Sequence, residues 1–176
     1  RSLKMIRPFR EDLILCVPAH HPLAREAAPA GEPFAAMDLR RLRDVPFVLM
    51  DPETTVGQAS AAIFAQAGLY PTVVYRSANV LMVSEMLKAG AGAGLLPAFY
   101  AQPCDTLAYF YPTQTARFYA SVAVQPGHVL TEAERYILYL QLNVSLEEFG
   151  GRVCWSDLLR GIVDEFDDMP AFPAVR

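Results

Sequence analysis

The stretch that decides the fold is VPFVLMDPETTVGQASAAIFAQAGLYPTVVYRSANVLMVSEMLKAGAGAGLLP, residues Val45 to Pro97. Val45 to Met50 is a short apolar run that reads as a buried strand, with Pro46 near its start, where a missing N–H does least harm. The polar loop Asp51-Pro-Glu-Thr-Thr55 follows, and Thr55 and Gln58 stand at capping-box spacing, predicting a helix start. Val56, Ala59, Ile63 and Ala67 fall on one helical face, and Gly68 offers the left-handed stop. The cycle then repeats, with Thr72 to Arg76 as a strand, Asn79 as a cap and a helix ending at Gly90. In that helix Val80, Leu81, Met82, Val83, Met86 and Leu87 leave only Ser84, Glu85 and Lys88 as a polar stripe, so it is expected to be largely buried. Ala93 to Leu96 makes a third strand, closed by Pro97. Strand, helix, strand, helix, strand at these spacings is a βαβαβ unit wound right-handed around a parallel sheet, which places the chain in the α/β class.

Working outward, Asp12 to Val17 reads as another buried strand, stopped by Pro18. Residues 25–37 carry Ala, Pro and Gly without periodicity and read as a loop, after which Asp38 caps a short helix over Leu39 to Arg43. On the other side, Thr106 to Tyr111 and Phe118 to Gln125 read as strands, the second alternating as Phe118, Ala120, Val122 and Val124. Thr131 to Glu134 is a capping box that opens a helix with Ala133, Ile137, Leu140 and Val144 on one stripe, a packing face expected to have lost part of the layer it should pack against. Past Gly150-Gly151, Val153 to Val163 suits one more amphipathic helix, and Asp164 to Asp168 with Pro170 and Pro173 reads as an acidic tail.

Charge excludes one class of partner. The 15 Lys and Arg against 19 Asp and Glu give a net −4, and residues 1–144 carry 12 of each sign, so the deficit lies in 145–176. Direct nucleic-acid binding by phosphate neutralisation needs a basic excess that neither part has. Cys16, Cys104 and Cys154 form neither a CxxC nor an even framework, which points to a reducing compartment and so to the cytoplasm. The longest uncharged stretch, Ala89 to Cys104, is too short and too broken for a membrane span, and no apolar signal segment opens the sequence.

Catalytic and metal signatures fail on spacing. No Gly-x-Ser-x-Gly surrounds any serine. Gly90, Gly92 and Gly94 follow a helix and enter a strand, the reverse of a phosphate-binding turn. Cys16 and His20 have no further ligands at zinc-site spacing, His128 shows no partner, and a Cys16–Cys104 redox pair depends on a proximity that sequence does not show. No enzyme, metal or cofactor is called for. What remains is a pair of helix starts at the carboxyl ends of adjacent parallel strands, where ligands bind in open α/β sheets. Their N–H groups, with Thr54, Thr55, Ser77 and Asn79, form a polar wall for a small anion or carboxylate; the same residues are equally explained as helix caps.

Four blocks in order carry a family resemblance. Phe9 to Ala24, with Pro18-Ala-His-His-Pro-Leu-Ala24, resembles the strand and P-x-x-H-P-L-A segment of LysR-type transcriptional regulators. Asp38-Leu39 to Pro46-Phe47, Phe64 to Pro71 and Leu87 to Pro97 resemble that family's D-L…P-F, F-x-x-x-G-x-x-P and G-x-G-x-x-L-L-P blocks. The resemblance implies an effector-binding domain of the periplasmic-binding-protein-like type 2 fold, with an incomplete second lobe. Residues 18–119 would be lobe II, 9–17 and 120–146 the crossing strands and the C-terminal part of lobe I, and 147–176 an acidic extension without family counterpart. A small-molecule effector would lie in the interlobe cleft, with the loop at 51–57 and Ser77, Ala78 and Asn79 as this lobe's share, and His21 to Ala24 would be a structural turn. The family's winged helix-turn-helix and linker helix are not in this sequence, so DNA contact would belong to a domain outside it, and uncovered apolar surface implies self-association. A solute-binding protein of a transport system, which shares the fold, is the alternative reading.

Overall fold

The computed structural model describes residues 3–149 and 153–167 of the chain. Gly150 and Gly151 lie outside the described residues, as do Asp168, Pro170 and Pro173 of the expected acidic tail, whereas its Asp164 to Phe166 form the last turn of a helix, Asp157–Phe166, because Phe166 is buried. Contacts divide the chain into one unit of residues 1–10 and 119–176 and a second of Glu11–Phe118.

The second unit holds the βαβαβ motif. Strand β3 (Phe47–Met50) pairs in parallel with β4 (Val73–Ser77) on one side. On the other, Phe47 bridges in parallel to Ala93, just ahead of β5 (Gly94–Pro97). Helix α1 (Thr55–Ala67) links β3 to β4, and α2 (Val80–Lys88) carries the chain from β4 past β3 to β5. Those two crossovers run in opposite directions, which puts the helices on opposite faces. Phe47 and Leu49 share a core with Ile63 and Phe64 of α1, while Val48 and Met50 share one with Val83 and Leu87 of α2. This is why β3 is apolar at every position instead of alternating. The ring of Phe64 meets that of Phe47 edge-on at 5.0 Å.

Around this motif the long strand β1 (Lys4–Pro18) pairs antiparallel with β5 and with β6 (Leu107–Pro112), and β2 (Ala36–Met37) adds in parallel to β6. The sequence reading caught only Asp12 to Val17 of β1, because Lys4, Arg7, Arg10 and Glu11 mask the buried Ile6 and Phe9. Asp38 caps a 3-10 turn over Leu39–Leu42 as expected. The glycine run before β5 is structural. Gly92 lies so close to the backbone carbonyl of Pro46 that any Cβ would collide with it, and the turn is needed to bring Ala93 beside β3.

Helix α2 corrects the expectation of near-complete burial. Leu81 and Met82 are exposed, whereas Ser84, placed on the polar stripe, is buried with Val83 and Leu87. The sheet selects one of several apolar faces, and the small Ser84 permits close packing there.

The first unit has its own core. Strand β7 (Arg117–Val124) pairs with β1, and its Phe118, Ala120, Val122 and Val124 are the less exposed alternate residues, as read. Helix α3 (Glu132–Phe149) opens on the expected capping box: Glu134 N–H donates to Thr131 Oγ1 at 3.3 Å and Thr131 N–H to Glu134 Oε2 at 2.7 Å. The face that packs is a different one. Leu138, Tyr139 and Leu142 are buried, while Ala133, Ile137, Leu140 and Val144 are exposed. The reason is α4 (Asp157–Phe166), whose Leu159, Ile162 and Phe166 close a cluster with Ile6, Phe9, Leu138, Tyr139 and Leu142. Arg135 of α3 also pairs with Glu165 of α4 at 2.9 Å.

Candidate functional site

At the carboxyl ends of β3 and β4 the chain builds two helix starts side by side. Met50 and Ser77 are cross-strand neighbours, and Asp51 N–H donates to the Ser77 carbonyl at 3.0 Å, so the 51–55 turn and the 77–79 turn are held together. Asp51 Oδ1 accepts from Glu53 N–H at 2.9 Å, a turn closure that fixes one acid at the mouth.

The cap of α1 falls one residue earlier than the Thr55 and Gln58 spacing suggested. Thr54 is the N-cap: its hydroxyl accepts from Gly57 N–H at 3.0 Å and donates to the Asp51 carbonyl at 2.7 Å. Thr55 is therefore the first helical residue, and its exposed hydroxyl has no partner among the described residues. Asn79 caps α2 through Oδ1, which accepts from Leu81 N–H at 2.9 Å and Met82 N–H at 3.4 Å. That leaves the Asn79 side-chain NH₂ as a free donor. Ser77 Oγ accepts from Asn79 N–H at 3.1 Å and keeps its own proton available. Ala78 is exposed and contributes backbone only.

The five candidate residues thus divide. Thr54 is spent on the cap, whereas Thr55, Ser77 and Asn79 retain donors, with the positive ends of two helix dipoles behind them. This arrangement presents hydrogen-bond donors to a small polar group and, among the described residues, offers no nucleophile with an adjacent base.

Other singled-out residues find structural roles. His21 Nδ1 accepts from Leu23 N–H at 3.2 Å and caps the 3-10 turn Pro22–Glu26. His128 is not without a partner: its Nε2 lies 2.9 Å from Glu134 Oε2. Cys16 and Cys104 belong to one core cluster, and burial first, then the neighbouring Cys104, pushes the Cys16 thiol well above its ordinary value. Cys104 Sγ stands 3.5 Å from Thr106 Oγ1 and 3.6 Å from Tyr109 OH, which itself donates to the Gln102 carbonyl. Among the described residues no group of three or more His, Cys, Asp or Glu side chains could hold a metal, and no helix is long and apolar enough to cross a membrane. Sequence reasoning passed over Arg76 of β4; a single cation inside an edge strand was the available signal.

A family model described as the LysR substrate binding domain matches residues 1–138. The chain belongs to this family of regulatory domains, which favours a regulator's sensor over a transport protein. The effector-binding domain of QuiR in complex with shikimate superimposes with a TM-score of 0.64 at 13% identity, over 84% of this chain and 68% of that one. The C-terminal domain of a probable LysR family regulator from Rhodococcus sp. RHA1 gives 0.60 at 22% identity, over 77% of this chain and 65% of that one. The Synechocystis PCC6803 CcmR regulatory domain in complex with 2-PG gives 0.64 at 16% identity, over 81% and 67%. The chain therefore spans about two thirds of each of these domains, and shares their periplasmic-binding-protein-like type 2 fold.

Proposed function

We propose that this chain is the effector-sensing part of a cytoplasmic LysR-type transcriptional regulator, binding a small polar or carboxylate-bearing molecule without chemistry, while another part of the regulator contacts DNA. The carrying observation is the paired helix start, where Thr55, Ser77 and Asn79 keep free donors at the ends of adjacent parallel strands. Shikimate and 2-PG, bound by two domains of similar fold, are suitable probes. Thr55 is not the cap, so Thr55→Ala is expected to weaken calorimetric affinity in the full regulator without moving the melt. Asn79→Ala removes a cap as well and should lower both. Unchanged affinity in both variants, with a lower melt for Asn79→Ala alone, would reduce these residues to structural roles and refute the site.

A further inference from the structure

A pocket of about 370 Å³ lies along the seam between α1 and β4; none of the five candidate residues at the strand ends lines it, although Pro52 and Gly57 of the adjoining 51–57 loop do. Its volume is within the roughly 300–1,000 Å³ typical of small-molecule sites. Leu49 and Phe64, both nearly fully buried, belong to its lining, together with Ser60, Ala61 and Ala65 of α1. The Gly68–Pro71 turn closes one end, with Tyr70 standing 95% exposed there.

One charged residue lines it. Arg76 is the cross-strand neighbour of Leu49, which packs on the α1 side, and both line the pocket; Met50, opposite Ser77, reaches the lining too although its core cluster is the one shared with α2. Among the described residues Arg76 makes no ion pair or hydrogen bond, no acid shares the lining, and β4 pairs with β3 alone, so Arg76 belongs to a strand whose outer edge those residues leave open. Ser60 is committed, since its hydroxyl donates to the Val56 carbonyl at 2.8 Å. An apolar floor with one uncompensated fork of N–H donors at the mouth is complementary to an apolar body bearing one carboxylate.

We propose that the α1–β4 pocket is a second ligand site, taking a small aromatic or alicyclic monocarboxylate whose ring rests on Leu49 and Phe64 and whose carboxylate pairs with Arg76. A second copy of this chain laid along the open β4 edge is the competing occupant.

The test is calorimetry on the 176-residue chain with benzoate as the probe and benzamide as its uncharged counterpart. Benzoate is expected to bind in preference to benzamide, and Arg76→Gln to weaken benzoate by at least about tenfold and erase that preference. Ala61→Phe, at an exposed position of the lining, should abolish binding of both by filling the space; Ala65→Leu repeats the experiment should the first variant melt early. No binding of benzoate at millimolar concentration, or equal binding by wild type and Arg76→Gln, overturns the proposal. Loss of benzoate on Asn79→Ala but not on Arg76→Gln would move the acid to the paired helix starts, supporting that site and overturning this one. Self-association in sedimentation that is released by Ala61→Phe, with no benzoate bound, would assign the pocket to a second copy.

Discussion

Two adjacent threonines separate capping from recognition. Thr54 Oγ1 satisfies a helix N–H while Thr55 Oγ1 has no partner among the described residues. Thr54→Ala is therefore expected to cost about 0.5–2 kcal/mol and Thr55→Ala almost nothing, as chemical denaturation would show. A larger loss for Thr55→Ala than for Thr54→Ala would mean that the spacing of Thr55 and Gln58 marks the true cap. At Glu134, the Thr131 N–H first, then His128 and the Thr131 hydroxyl, hold the carboxyl down to about 2 from its usual 4.5. A depressed carboxyl stabilises the fold above its unfolded value and loses that contribution as pH falls through its folded one. The melting-temperature gap between wild type and Glu134→Gln should accordingly be full above about pH 5 and close as pH drops toward 2. A gap that widened in acid would contradict the assignment.

Elements were legible in proportion to how far their own residues decide them. The βαβαβ order, the caps at Asp38, Asn79 and Thr131 and the stop at Gly68, whose φ is +61°, are local matters of hydrogen bonding and backbone sterics, and they were readable. Which face of a helix is buried is not local. Helix α3 carries two apolar stripes, Ile137-Leu140-Val144 and Leu138-Tyr139-Leu142, and periodicity alone does not choose between them; α4 does, by covering the second. Thr55 at the start of α1, and Ser77 and Asn79 at the end of β4, were reached through the strand-end rule, while Arg76 was missed because its meaning depends on which face of β4 meets α1. Leu142→Ala is then expected to cost about 2–5 kcal/mol by leaving a cavity, and Ile137→Ala to stay within about 0.5 kcal/mol. The latter should also reduce any concentration-dependent association seen in sedimentation, since Ile137 is 62% exposed on an uncovered stripe. Comparable losses for the two variants would mean that both faces pack.

At the scale of the whole chain, the buried residues sort into separate clusters, one in the unit that contains α3 and α4 and two in the unit that contains the βαβαβ motif. The C-terminal segment is consequential here. Among the described residues, Leu159, Ile162 and Phe166 supply three of the eight buried members of the first unit's cluster, from a part of the chain past the 1–138 family match. Phe166 is 2% exposed, and its ring meets those of Tyr136 and Tyr139 at 5.2 and 5.7 Å. Two built-in reporters distinguish the units. Trp155, the chain's one tryptophan, stacks under Arg160 at 5.4 Å in the first, and Cys16, with no exposed surface, is buried in the second. Phe166→Ala removes a large ring from a packed core, worth about 3–5 kcal/mol. The Trp155 fluorescence transition should shift to lower denaturant by that amount, while the denaturant dependence of Cys16 labelling by a thiol reagent moves much less, because its own cluster has lost nothing. Leaving Cys104 and Cys154 as alanines confines the labelling signal to Cys16. If the two transitions move together by the full amount, the clusters unfold as one cooperative unit and α4 stabilises the candidate site as well as its own.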